Sequence, residues 1–181
     1  MIVEETYLKG VLTIEPNLHK DNRGSFQESF NLREFKKNTG LNINFVQDNQ
    51  SLSKKGALRG FHYQEEPYAQ SKLVRVIKGE VQDVVVDLRK DSLTFGKHFS
   101  IILSEENNLQ LFIPKGFAHA FLSLKENTIF AYKCDNYYNK ESERGIIFND
   151  KNLGIDWMFS KEEIIISEKD LNLSRFIELS F

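Results

Sequence analysis

Short alternations of apolar and polar residues, broken by polar clusters, set the fold class of this chain. Residues 72–78 (KLVRVIK) alternate and stop at Gly79, and residues 81–88 (VQDVVVDL) resume two positions later. That pattern reads as a hairpin across Gly79 and Glu80. Four further strands are predicted at 98–103, 109–113, 119–124 and 129–134, separated by loops rich in Asn, Ser, Glu and Lys. Short strands at such spacing indicate an antiparallel sandwich or barrel. The N-terminal part is more mixed. Residues 11–18 read as a strand broken at Pro16, 19–25 as a turn, 26–30 as a short alternating strand, 43–47 as strand-like and 48–56 as a polar loop. A helix is expected at 31–38, where Asn31 can cap, Glu34 follows three residues later, Leu32 and Phe35 face inward and Gly40 can end it. Beyond residue 135 the pattern weakens. Residues 160–163 and 167–170 each read as a helix start behind a capping serine. No repeat, low-complexity tract or linker divides the chain, so residues 1–181 are expected to form one domain.

Composition narrows the class of function. Hydrophobic residues make up 40% and aromatic residues 12% of the 181 positions, which excludes a disordered chain. The net charge is −2, with 24 basic and 26 acidic residues mixed along the chain. No basic stripe argues for nucleic acid, and no basic amphipathic helix argues for a membrane surface. The one cysteine, Cys134, has no internal disulfide partner, so a reducing cytoplasm fits. The start MIVEETYLKG lacks the features of a signal peptide, and no stretch approaches the length of a membrane span.

Candidate chemistry centres on GALRGFHYQEEPYAQSKLVRV at 56–76. His62 sits two residues beyond Gly60, flanked by Arg59 and Tyr63. In a strand, alternate side chains share a face, so Lys72 lines up with Val74 and Val76, while Leu73 and Arg75 share the other. An amine and an imidazole at one enclosed site can bind an anion or move a proton. Taken singly, a strand histidine is more often structural and a strand-end lysine usually reaches water. RGSFQE at 23–28, with Gln47 and Asn49, offers Arg23, Phe26, Glu28 and side-chain amides. Those groups suit a nucleotide, though on this piece alone a solvated turn before an edge strand is the favoured reading. By alternation Tyr132 shares a face with Phe130 and Cys134, opposite Lys133. It is a candidate general acid or a buried tyrosine bonded to backbone. Asp170 alone reads as a helix-capping carboxylate.

Residues 113–119 (IPKGFAH) should turn tightly and aim His119 inward. Their P-x-G-x-x-H spacing resembles the second motif of the cupin barrels. Metal-binding cupins carry His-x-His in their first motif, whereas the matching stretch here is His62-Tyr63-Gln64. His62 and His119 are then the only good nitrogen ligands, and a zinc or iron site needs about three protein ligands. No metal is expected.

Taken together, RGSFQE, FVQDNQS, LRGFHYQ, AQSKLVRV, GEVQDVVVD, TFGK, LSEEN, IPKGFAHAF, YKCDNYY, ESERGI and SEKD occur in the order seen in the dTDP-4-dehydrorhamnose 3,5-epimerases, and the chain resembles that family from about residue 21 to 170. The resemblance implies a mainly β, cupin-type antiparallel jelly-roll barrel with a few short peripheral helices. It also implies a homodimer without cofactor, acting on nucleotide-diphosphate-linked 4-keto-6-deoxy sugars. Carried over residue by residue, His62 resembles the catalytic base, Asp170 the carboxylate that orients it, Tyr132 the acid and Lys72 the cation near the enolate. Arg23 and Arg59 resemble diphosphate ligands. Phe26, Glu28, Gln47 and Asn49 resemble nucleotide contacts, some donated by a partner subunit; Tyr138 resembles a sugar or nucleotide contact, and His119 lines the same pocket. Phe61, Leu93, Ala120 and Phe148 depart from the family pattern, and Phe61 and Ala120 are expected to reshape the pocket. Strict alternation puts Arg59 and His62 on opposite faces, so a bulge near Gly60 or a twist at the strand end is expected.

The implied chemistry is proton abstraction beside a ketone, where the carbanion delocalises into an enolate. Inversion at one centre only, a GDP-linked heptose substrate, a 3,4-ketoisomerase and a non-catalytic sugar-binding jelly roll are the competing readings.

Overall fold

The computed structural model describes residues 1–179. In chain order the elements are β1 (Ile2–Glu5), β2 (Leu12–Glu15), β3 (Leu18–Asp21), β4 (Gly24–Gln27), α1 (Leu32–Thr39), β5 (Gln47–Ser53), β6 (Leu58–Gln64), β7 (Lys72–Lys78), β8 (Glu80–Asp87), β9 (His98–Ser104), β10 (Gln110–Ile113), β11 (Phe117–Ser123), β12 (Thr128–Cys134), β13 (Glu143–Gly145) and α2 (Glu168–Leu171). One antiparallel sheet has the order β1-β2-β10-β7-β12-β5 and the other β13-β6-β11-β8-β9, while β3 and β4 pair as a separate hairpin. The inner faces share a core of Val74, Val76, Leu111, Ile113 and Phe130 from the first sheet with Val81, Val85, Phe117 and Phe121 from the second. This is the expected jelly-roll architecture.

Both sheets are also covered outside. Helix α1 lays Phe35 against Ile14, Leu73 and Phe112. It forms where the sequence predicts, with Asn31 Oδ1 accepting from the N–H groups of Arg33 and Glu34 and Gly40 ending it at φ 72. Burying one phenylalanine such as Phe35 contributes roughly 1.5–3 kcal/mol. Outside the second sheet, Val84, Val86, Ala118, Ala120 and Phe61 pack under Ile146 and Leu153. Strands β8 and β11 are therefore buried on both faces, which is why their sequences run nearly continuously apolar.

Five expectations from the sequence are corrected, the first being that 43–47 is strand-like: residues 43–46 are irregular and β5 begins only at Gln47. Strands β7 and β8 are not a hairpin: β7 pairs with β10 and β12, β8 with β9 and β11. Gly79, at φ 85, carries the chain from one sheet to the other. The polar stretch at 48–56 is largely strand, because β5 pairs along its length with β12. Residues 19–25 are not a simple turn but contribute to the β3–β4 hairpin. At 160–163 the chain turns without forming a helix, and the Glu163 carboxylate satisfies the Ser160 N–H.

The C-terminal segment lies along the second sheet. Ile165 accepts from the Leu58 N–H and donates to the Gly56 carbonyl, and Ile147 donates to the Ser174 carbonyl. These bonds fix α2 beside β6. Among the described residues no helix is long and apolar enough to cross a membrane.

Candidate active site

The β6–β11 pairing contains the bulge that the facing argument requires. His119 lies opposite His62 and Phe121 opposite Arg59, so Ala120 of β11 faces both Gly60 and Phe61 of β6. The extra residue turns Arg59 and His62 to the same side. It also releases backbone groups from the ladder. Phe61 exchanges two hydrogen bonds with Ile146, and the Gly60 N–H donates to Asp170 Oδ2 at 3.3 Å.

Asp170, nearly fully buried, uses its other oxygen to hold His62 Nε2 at 2.7 Å. It does not cap its own helix; Ser167 does, accepting from the Asp170 N–H. Burial works against its ionisation. The His62 contact, the Gly60 N–H and the nearby Lys169 charge outweigh that and hold its carboxyl below the ordinary aspartate range. With Nε2 engaged, the His62 nitrogen left for proton transfer is Nδ1.

His62 lines a cavity of about 370 Å³ together with Asn49, Ser51, Arg59, Lys72, His119, Tyr132 and Asp170. A second cavity of about 170 Å³, lined by Gln47, Tyr138 and Glu143, shares Asn49, His62, Lys72 and Tyr132 with the first. Those four side chains stand where the two spaces meet. Lys72 has no hydrogen-bond or ion-pair partner among the described residues. Burial pulls its amine below the usual lysine value, with Cys134, Asp83 and Glu143 as opposing charges. The Cys134 thiol is itself pushed up to about 11 by burial and so is neutral near pH 7, leaving the carboxylates to hold the charge on Lys72. Burial also raises the Tyr132 phenol above its ordinary value, against the lowering influence of Arg59. That phenol keeps its proton at neutral pH.

Strand β5 forms one wall. Its alternate residues Gln47, Asn49, Ser51 and Ser53 are the less exposed set. The inward face of β5 is polar because it borders a cavity instead of core, and that is why its sequence reads as a loop. Gln47 donates to Asn49 Oδ1 and accepts the Tyr138 N–H. Asn49 donates to Cys134 Sγ at 3.8 Å. Arg59 Nε donates to Ser53 Oγ at 3.2 Å. The Ser51 hydroxyl is buried at the cavity with no partner among the described residues, a polar group in need of a ligand atom. Tyr138 donates to Glu143, which also receives Lys169 at 2.6 Å. His119 is buried beside His62, with Nε2 at 2.9 and 3.1 Å from the two oxygens of Asp83.

The remaining candidates lie elsewhere in the chain. Arg23 sits on the β3–β4 hairpin, 86% exposed and paired with Asp21, near an exposed Phe26. Glu28 accepts from Asn31. None of these three lines the cavity around His62. The substitutions expected to reshape the pocket do not border it either: Phe61 and Ala120 pack outside the barrel. Sequence reasoning missed Asp83, Glu143, Lys169 and Ser51. Only Asp83 left a signal, a charge inside an apolar strand. Among the described residues no three His, Cys, Asp or Glu side chains are grouped to hold a metal ion.

Known proteins align with the chain over its length. The family model for dTDP-4-dehydrorhamnose 3,5-epimerase matches residues 5–178. The enzyme of that name from Shigella flexneri is 49% identical over 181 residues, covering 100% of this chain and 99% of the relative. The crystal structure of the Elizabethkingia anophelis enzyme superposes with a TM-score of 0.95 at 49% identity, covering 100% of this chain and 99% of that one. A Legionella pneumophila epimerase solved in complex with dTDP-4-keto-L-rhamnose gives a TM-score of 0.95 at 44% identity over 99% of this chain and 94% of the other.

Proposed function

The chain belongs to the dTDP-4-dehydrorhamnose 3,5-epimerase family and is an isomerase of nucleotide-linked sugars, and on that premise we propose how its residues divide the reaction. The substrate is a dTDP-linked 4-keto-6-deoxyhexose. Its ketone acidifies the protons on C3 and C5, because the carbanion delocalises onto the carbonyl oxygen. His62 removes each proton through Nδ1, and the Asp170 carboxylate stabilises the imidazolium that forms. Lys72 meets the developing enolate oxygen in a partly dry cavity, where charge contacts are stronger than in water. Tyr132 returns a proton from the opposite face.

The observation that carries this reading is the meeting of the His62–Asp170 pair, at 2.7 Å with its aspartate buried, with a Lys72 amine unpartnered among the described residues at one cavity. A base next to an amine with no direct ion-pair contact among the described residues is what enolate formation requires.

Nucleotide binding is assigned to Gln47, Asn49, Arg59 and Tyr138, with His119 as a sugar contact. The protein acts as a homodimer in the cytoplasm. The distance of Arg23, Phe26 and Glu28 from the cavity in one chain supports their donation by a partner subunit.

The test is deuterium wash-in with dTDP-4-keto-6-deoxyglucose in heavy water. His62→Asn should abolish label at C3 and C5. Tyr132→Phe should admit label with the starting configuration retained, since His62 can reprotonate only its own face. Full exchange in His62→Asn removes His62 from the mechanism, and normal inversion in Tyr132→Phe removes Tyr132.

A further inference from the structure

Asp83 is a fully buried carboxylate to which the proposed mechanism gives no role beyond its distant support of the Lys72 charge. It sits mid-strand in β8, facing the barrel interior between Val81 and Val85 and opposite Phe121 of β11. Its relative exposure is 0%. Among the described residues its side chain has one hydrogen-bonding partner, His119 Nε2, which it meets with both oxygens. Burying a carboxylate in such surroundings is costly, and a buried polar pair can usually be replaced by apolar residues at no loss of stability. A role beyond packing is therefore the better account.

His119 shows what that role is. It lies directly opposite His62 in the β6–β11 register, so the two Cα atoms are about 5 Å apart. Both rings border the same cavity. Each is held by Nε2 on a buried aspartate, one from β8 and one from α2. The His119 ring is confined on another side by Phe130, stacked at 6.0 Å and 27°. With Nε2 taken by Asp83, Nδ1 is the ring nitrogen left without a partner among the described residues.

Resting on the reading of the site given above, we propose that Asp83 is a positioning residue for the epimerisation. It fixes His119 with Nε2–H on the carboxylate and Nδ1 toward the sugar. His119 then orients the sugar hydroxyl next to the carbon that His62 deprotonates. The cation that stabilises the enolate and the base that forms it thus act on a ring whose rotation is set by a second histidine–aspartate pair.

The experiment combines spectroscopy of the unaltered protein with a mutant cycle. The ¹⁵N NMR spectrum of His119 should show a protonated Nε2, and addition of the 4-keto sugar nucleotide should perturb Nδ1. A bare Nε2, or an Nδ1 that does not respond, overturns the proposal whether or not any variant folds. Asp83→Asn keeps the shape but lets the amide hold either tautomer. Its kcat should fall about 10–100-fold, the usual loss when the partner orienting a functional imidazole is removed, while dTDP affinity stays unchanged. The Asp83→Asn/His119→Ala double variant should be no slower than His119→Ala alone, because residues acting as a unit are not additive. Additive losses, or a fall in dTDP affinity matching a fall in melting temperature, indicate a merely structural aspartate. Running His62→Asn in parallel separates two failures. Continued deuterium exchange there sinks the reading of the whole site. A silent His62→Asn beside a full-speed Asp83→Asn sinks only the role of Asp83.

Discussion

A Cβ placed on Gly60 would lie 2.5 Å from the His119 carbonyl oxygen and 2.8 Å from Ala120 Cα, and Gly60 itself has φ 112. The bulge that turns Arg59 and His62 together therefore tolerates only glycine at its first residue. Gly60→Ala is expected to cost on the order of 3 kcal/mol, combining a strained backbone with overpacking against a neighbouring strand. Denaturant melts measure the stability. A variant as stable and as active as the parent would mean that the bulge is not required.

Lys72→Ala should lose on the order of 10²–10³ in rate, as expected when one preorganised charge on a developing oxyanion is removed. Lys78 lies on the same strand but is exposed before Gly79, and Lys78→Ala should be near normal. Equal losses at the two positions would contradict the facing of β7.

The same amine sets a pH limit. Burial lowers its pKa from 10.5, and the mechanism needs the charged form. Activity should therefore fall as pH rises through a value below that of a free lysine. The limb should vanish from the residual activity of Lys72→Met. A profile unchanged in shape by that substitution would assign the limb to another group.

Asp170 makes an opposite, acid-side prediction. Its carboxyl lies below the ordinary value of 3.8 in the folded protein. Its contribution to stability is then fully present above the unfolded value and is lost as pH falls through the folded one. Asp170→Asn should be less stable than the parent near neutrality, with the gap closing in acid. Melting curves of both proteins across that range supply the comparison; a constant gap would argue against an ionised Asp170.

Partner donation of the hairpin is testable by mixing subunits. Arg23→Ala and His62→Asn should each be weakly active or inactive alone. In an exchanged equimolar mixture of dimers, one site per mixed dimer has both residues, so about a quarter of parental activity should return. No recovery after proven exchange would place Arg23 outside the partner's site.

Much of this site was legible in the sequence, for reasons that differ between residues. The inward facing of Lys72 and Tyr132 followed from alternation, because β7 and β12 border both core and cavity and keep a regular pattern. Requiring Arg59 and His62 to reach one ligand left a bulge at Gly60 or a strand-end twist, and the β6–β11 register decides for the bulge. Strand β5 was hidden because Gln47, Asn49, Ser51 and Ser53 face a cavity, and a polar inner face removes the contrast that marks a strand. Gly79 misled in the other direction. Two strands closely spaced in sequence look like a hairpin, and only long-range pairing shows that they enter different sheets. Asp170 was readable only through the SEKD resemblance, since no local pattern says that a carboxylate 108 residues beyond His62 will dock against it.

That separation gives the protein an order of maturation. During synthesis His62 emerges and can fold into its strand long before Asp170 exists. The barrel's two sheets are complete by residue 145, yet the His62–Asp170 pair must await the strap that carries α2. The strap is the last segment to join, held by bonds at Ala57, Leu58 and Ile147, by Ile164 and Ile166 packed on the barrel and by the Asp170 contacts themselves. Fraying there would leave a folded vessel able to hold a nucleotide but unable to start its chemistry, so inactivation on mild heating should precede loss of sheet.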